Sequence, residues 1–207
     1  MFFYLLNIIR EGREERKEKY SMKKTDYSVP MLKAQTASLP FALLAVAEAA
    51  VFFAVWGGEP IKAASDFLMP WYFFPIFIVG IVVHEMIHAL SWMAAARLPL
   101  TKMKFGFQVK TLTPYAHCIV PIKKSAYVFG TLMPAVVLGF IPFVAALQSG
   151  NGWVLIFSVL FTFAAVGDFL IVWLIRSVPW NALVEDHNEN AGCFVYEEDV
   201  PSAEGPR

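Results

Sequence analysis

Cysteine is scarce in this chain: Cys118 and Cys193 are the only two, far apart and in no metal-binding or redox spacing. That excludes a disulfide framework and a cysteine zinc site, so any metal must be held by His and carboxylate. Neither sign of charge is in excess, with 17 Lys and Arg against 17 Asp and Glu. A balanced chain has no overall electrostatic footprint for nucleic acid, and none is expected as a partner. A basic leader is lacking as well. Met1-Phe2-Phe3-Tyr4-Leu5-Leu6 is apolar but stops at Arg10 and runs into charge rather than a cleavage site, so it is not read as a signal peptide. What the chain has in quantity is apolar side chains, 57% of all residues with 15% aromatic, well above a soluble domain.

The apolar residues fall into four long stretches. Ala126 to Leu147 carries no charge and is long enough to cross a bilayer as a helix. Leu39 to Trp56 is a second, with Glu48 near its middle, and Trp153 to Ile175 a third, with Asp168 two thirds of the way along. The remaining one begins near Phe67, runs uncharged to Val83 and continues through His84-Glu85-Met86-Ile87-His88 to Ala96. Pro70 is tolerated at its start, and Pro75 is expected to kink it.

Basic residues test this arrangement, because cytoplasmic loops collect Lys and Arg. The segment to Ser38 holds eight, the loop Arg97 to Ser125 six and the C-terminal segment two, leaving only Lys62 for the opposite side. Both termini are therefore expected to be cytoplasmic. The fold class expected is an all-α membrane protein of about four transmembrane helices. In the loop between the second and third, Lys104 to Lys110 alternates and Tyr115 to Val120 is extended, which predicts a short cytoplasmic β-hairpin. Domain boundaries follow: a basic tail over 1–38, a four-helix membrane domain over 39–176, and an acidic, solvated tail over 177–207 that closes on Pro-Ser-Ala-Glu-Gly-Pro.

Residues four apart on a helix lie one turn apart on one face, so His84 and His88 can offer two imidazoles to one metal ion. Glu85 projects beside them, placed to take a proton from water without being a ligand. By average composition such a motif arises by chance in on the order of one chain in a few hundred. Inside a membrane span it is rarer, since ionisable groups there need a partner. A catalytic zinc takes three protein ligands, and the candidates for the third are Asp168, Glu48, His117 and His187. Depth selects Asp168. It lies eight residues from Arg176 and the motif's centre lies about 11 from Arg97, or roughly 12 and 16 Å at helical rise. Gly167 before it would let a helix or a substrate backbone come close. Glu48 is read as an interhelical hydrogen-bond partner, His117 as a solvated imidazole or a transition-state donor, and His187 as surface charge.

These residues resemble a family of bacterial membrane proteins named zincin peptidases, over about residues 70–196. The resemblance is carried by His84 to Leu90, Thr113-Pro114-Tyr115-Ala116-His117-Cys118 with Pro121-Ile122, Met133-Pro134, and Gly167-Asp168. The chain is also similar to the core of site-2 proteases, in which an Asp from a later helix completes a His-Glu-x-x-His helix. It departs from them in that Gly167 precedes Asp168 and Phe169 follows it. The resemblance implies Zn²⁺ held by His84, His88 and Asp168, with Glu85 as the catalytic base. It further implies a bacterial inner membrane, a lipid bilayer around the helices, and a peptide or membrane-protein substrate. A zinc-binding sensor that catalyses nothing is the alternative, and a transporter is a weaker one, since four spans show no internal repeat.

Overall fold

The structure, a computed structural model, describes residues 22–65, 70–108, 113–187 and 189–198. The start of the stretch that begins near Phe67, Val109 and Lys110 of the loop, the first 21 residues and the last nine lie outside the described residues.

Four helical runs are long and apolar enough to cross a membrane: Leu39–Trp56, Trp71–Ala96, Lys124–Ser149 and Gly152–Leu174. All four are strongly apolar, and side chains such as Leu43, Val46, Val79, Val82, Leu90 and Val144 are exposed. In water that surface would be costly; in hydrocarbon it is the required one, because a helix satisfies its own backbone groups there. The four runs agree with the four stretches read from the sequence.

After β1 (Met22–Val29) and the short α1 (Met31–Ala37), the first run is a 3₁₀ turn, Leu39–Ala42, followed by α2 (Leu43–Trp56). A one-turn α3 (Glu59–Ala63) precedes α4 (Pro70–Ala96), which stays helical through Pro75. The third run starts as α5 (Lys124–Pro134), widens into a π segment over Ala135–Phe140 and ends as α6 (Ile141–Ser149). A proline inside a helix has no N–H for the carbonyl four residues back, and wider turns are a usual consequence. The run stops at Gly150, whose φ of 68° is left-handed, and Asn151 then caps α7 (Gly152–Ala164) by accepting from the N–H groups of Trp153 and Val154 at 2.9 and 3.2 Å. The fourth run is broken at Ala165, so α8 (Val166–Leu174) has an N-terminus of its own with Asp168 in its first turn.

The all-α expectation needs one correction, because the protein is mostly helical but also holds a sheet. Strands β1, β6 (Ala191–Glu198), β5 (Leu183–Asp186) and β4 (Ile122–Lys123) form it in the order β1-β6-β5-β4, antiparallel throughout. Residues 22–29 and 191–198 were expected in tails. They pair from Met22 opposite Glu198 to Val29 opposite Ala191, and Lys24 places its ammonium 3.7 Å from the Phe194 ring centroid. The expected hairpin is present as β2 (Met103–Gln108) and β3 (Thr113–Cys118), with Lys104 opposite His117 and Phe105 opposite Ala116. The larger buried cluster joins Trp92, Tyr127 and Ile175 at the helix ends to Cys118, Val184 and Val195 of the strands. It forms the floor on which the site described next is built.

Candidate metal centre

His84 and His88 lie one turn apart on α4, both buried, and their Nε2 atoms are 3.1 Å apart. Asp168 comes from α8. Its Oδ2 is 3.2 Å from His84 Nε2 and its Oδ1 is 3.4 Å from His88 Nε2. One potential ligand atom from each residue lies within 4.8 Å of the others, and no second such group occurs among the described residues. Placing a carboxylate in the first turn of a helix suits the positive end of its dipole, which is what the break at Ala165 achieves.

The donor set fits zinc. Atoms bound at about 2.0–2.1 Å to a tetrahedral zinc stand about 3.3 Å from one another, which is the spacing seen here. Hydrogen bonding alone leaves the cluster unsatisfied. Oδ2 of Asp168 approaches His84 without hydrogen-bond geometry and is buried with no hydrogen-bond partner among the described residues.

The second imidazole is held from three sides. His88 Nδ1 is 2.9 Å from the carbonyl oxygen of Gly130, which can only accept, so Nδ1 carries the proton and Nε2 is left bare toward Asp168. Its ring stacks on Trp92, centroids 5.2 Å apart and planes 15° apart, and Trp92 stacks in turn on Tyr127 at 5.7 Å. The indole N–H donates to the Tyr127 carbonyl at 2.9 Å. A side chain at Gly130 would overlap the indole, so glycine is what lets α5 lie against Trp92.

Glu85 lines a cleft of about 970 Å³ together with His88, Asp168, Gly167 and β3. The backbone N–H of Ala116 interacts with the Glu85 carboxylate. In β3 the alternation of the ladder makes this possible. Ile119 N–H bonds Lys102 O at 3.0 Å, which sets Lys104–His117 and Gly106–Tyr115 as the mutually bonded pairs and turns the backbones of Pro114, Ala116 and Cys118 away from β2. Pro114 has no N–H to lose there. Cys118 uses its N–H on Asp186 Oδ2 at 2.8 Å.

Of the other candidates for a third ligand, none joins the cluster. Glu48 is buried on α2, accepting from Thr162 Oγ1 at 2.8 Å, the interhelical role expected of it. His117 lines the cleft and stacks on Tyr115 at 4.3 Å; burial chiefly, with Lys104 and His187 adding to it and Asp186 opposing, holds its imidazole below the usual range. His187, expected as surface charge, also lines the cleft, and its Nδ1 accepts from the N–H groups of Glu189 and Asn190 at 3.0 and 2.9 Å. Gly167 corrects one expectation: a Cβ there would meet nothing within 4 Å, so it opens the cleft rather than admitting a neighbouring helix. Sequence reasoning passed over Trp92, Tyr127 and Asp186. Only Trp92, one further turn along the face of His84 and His88, carried a local signal.

Two buried imidazoles and a carboxylate on helices of membrane type form a group that could hold a metal ion, with the kind of donor set used by hydrolytic zinc sites. The family described as "Putative zincin peptidase" matches residues 77–183, just over half of the chain, and the protein belongs to it. Comparison with curated proteins and with solved structures finds no match.

Proposed function

We propose that the protein is an integral-membrane zinc metallopeptidase that hydrolyses a peptide bond near the cytoplasmic side of a bacterial inner membrane. The observation that carries this reading is the arrival of Asp168 on α8 against both imidazoles of the His-Glu-x-x-His turn on α4. Nε2 of His84, Nε2 of His88 and the Asp168 carboxylate would hold the zinc. Bound there, zinc supplies Lewis acidity toward a carbonyl oxygen and toward water.

The remaining chemistry belongs to the chain. Glu85, aimed into the cleft and steadied by the Ala116 N–H, takes the proton from the attacking water and passes it to the leaving amine. The Nδ1–H of His88 on Gly130 keeps that imidazole in the tautomer a metal ligand needs. Substrate lies extended along β3 rather than along β2. The carbonyls of Pro114 and Ala116 face away from β2 at the cleft wall and accept from a substrate backbone, which brings it past Glu85. Among the described residues nine of the ten Lys and Arg, all but Lys62, fall at the ends of the spans that carry the sheet and the hairpin, which supports a cytoplasmic mouth for the cleft.

Purified wild type and Glu85→Gln, compared for zinc content and for cleavage of a peptide library, test the reading. Equal zinc in both with cleavage only by wild type supports it. Equal zinc with no cleavage by either favours the non-catalytic sensor instead.

A further inference from the structure

We infer that Pro134 is a positioning residue for the metal centre: by withholding a backbone N–H it frees the Gly130 carbonyl to orient His88. In an α-helix the carbonyl of residue 130 accepts from the N–H of residue 134. Proline at 134 has none, yet the chain stays helical from Lys124 to Pro134, so Gly130 presents a buried carbonyl oxygen with no donor in its ordinary place. A buried, unclaimed carbonyl is unfavourable by itself. Here the donor comes from another helix, His88 Nδ1 at 2.9 Å.

The two neighbours of this bond fit the same purpose. Gly130 has no side chain, and any Cβ would strike the Trp92 indole, so α4 and α5 approach closely enough for the imidazole to reach a main-chain oxygen. Beyond Pro134 the helix does not return at once to four-residue bonds. The Ile141 N–H bonds Val136 O, five residues back, within the π segment Ala135–Phe140. Disturbance of the third run is thus confined to the residues after the proline, while Tyr127, Gly130 and Thr131 before it remain in regular helix against α4. Pro75 offers an internal contrast. It also lies inside a long helix, but the carbonyl it leaves is that of Trp71 near the start of α4, over three turns from His84.

The inference rests on the zinc reading for its purpose but not for its geometry. Pro134→Ala supplies the missing N–H, which competes for Gly130 O inside its own helix and weakens the hold on His88. Zinc affinity of the full-length protein in detergent, measured by competition with a chelator, should fall about tenfold or more. Thermal stability of the metal-free form should change little, because alanine suits a helix interior better than proline while leaving a small void where the fully buried Pro134 ring stood. Pro134→Val, restoring the same N–H with a side chain closer in size to the buried ring, should behave alike, and Pro75→Ala should leave zinc affinity unchanged. Selective ¹⁵N-histidine labelling gives a second readout without metal: the His88 Nδ1–H proton should be downfield and slow to exchange in wild type, and lose both properties in Pro134→Ala. Unchanged zinc affinity together with an unchanged Nδ1–H resonance would overturn the role of Pro134. A wild type that takes up no zinc refutes the metal reading, and the Nδ1–H resonance still decides the proline's part.

Discussion

The phenol of Tyr127 donates to Asp186 Oδ1 at 2.6 Å, tying the third membrane-type helix to the four-stranded sheet. The other oxygen of Asp186 accepts from Cys118 N–H, so one buried carboxylate fastens α5, β5 and β3 together beside the candidate metal centre. Burial pushes this carboxyl above its ordinary range, opposed by His117, Tyr127 and the Cys118 N–H. Removing one donor leaves a buried acceptor without a partner. Tyr127→Phe should therefore destabilise the protein by about 1–3 kcal/mol. Denaturation in detergent measures this, and a variant as stable as wild type would show that the bond contributes nothing net.

The contribution of Asp168 can be separated from its role in folding. Asp168→Ala removes the donor from α8 while His84 and His88 remain paired on α4. Bound zinc should then be lost at concentrations that saturate wild type, whereas Asp168→Glu should keep a measurable part of it. Full zinc affinity in the alanine variant would show that another residue completes the site.

What could be read from the sequence depended on whether its cause was local. The four long helices are compositional, so their limits agree with the structure to within a few residues where described. The cluster of His84, His88 and Asp168 was reachable because helical rise converts residue number into depth. The sheet was not reachable. Its edge strand β1 and its central β6 lie at opposite ends of the chain, and each alone reads as a polar tail; only pairing across the whole length buries Cys193 and Val195. Asp186 was hidden for the same reason, sitting in an acidic run beside Glu185 and becoming a buried acceptor only when β5 docks under α5. The close helix approach allowed for at Gly167 occurs instead at Gly130 against Trp92, since nothing in spacing says which glycine faces a ring.

His117 should make stability depend on pH in one direction. Its imidazole is held below 6.5 in the fold, mainly by burial, so between that lower value and 6.5 the unfolded chain binds a proton that the folded chain does not. Stability is fully present above about pH 6.5 and declines as pH falls through the folded value. His117→Asn should remove this part. The difference in melting temperature between wild type and variant should therefore shrink or reverse on going from neutral to mildly acid buffer. A difference that is constant with pH would mean that His117 is not desolvated as described.

Both cysteines should be inert in the folded protein. Cys193 is fully buried, and burial, with Asp186 and Asp26 adding to it, pushes its thiol up to about 12; burial also raises Cys118. Since the thiolate is the reactive form, neither should be alkylated by a maleimide at neutral pH until the protein is unfolded, when both should react. Fast labelling of the native form would place one of them at the surface.

Gly167 separates the shape of the cleft from the chemistry of the metal. It adjoins Asp168, lines the cleft, and has open space where a side chain would go. Because it lies within α8, alanine there should be neutral or stabilising by up to about 1 kcal/mol, with activity kept. A larger side chain projects into the space that an extended substrate needs beside the ligand. Gly167→Phe should therefore fold and keep its zinc but lose cleavage, the loss being greater for long peptides than for short ones. Wild-type cleavage by that variant would mean that substrate does not pass this wall, and the path along β3 would have to be redrawn.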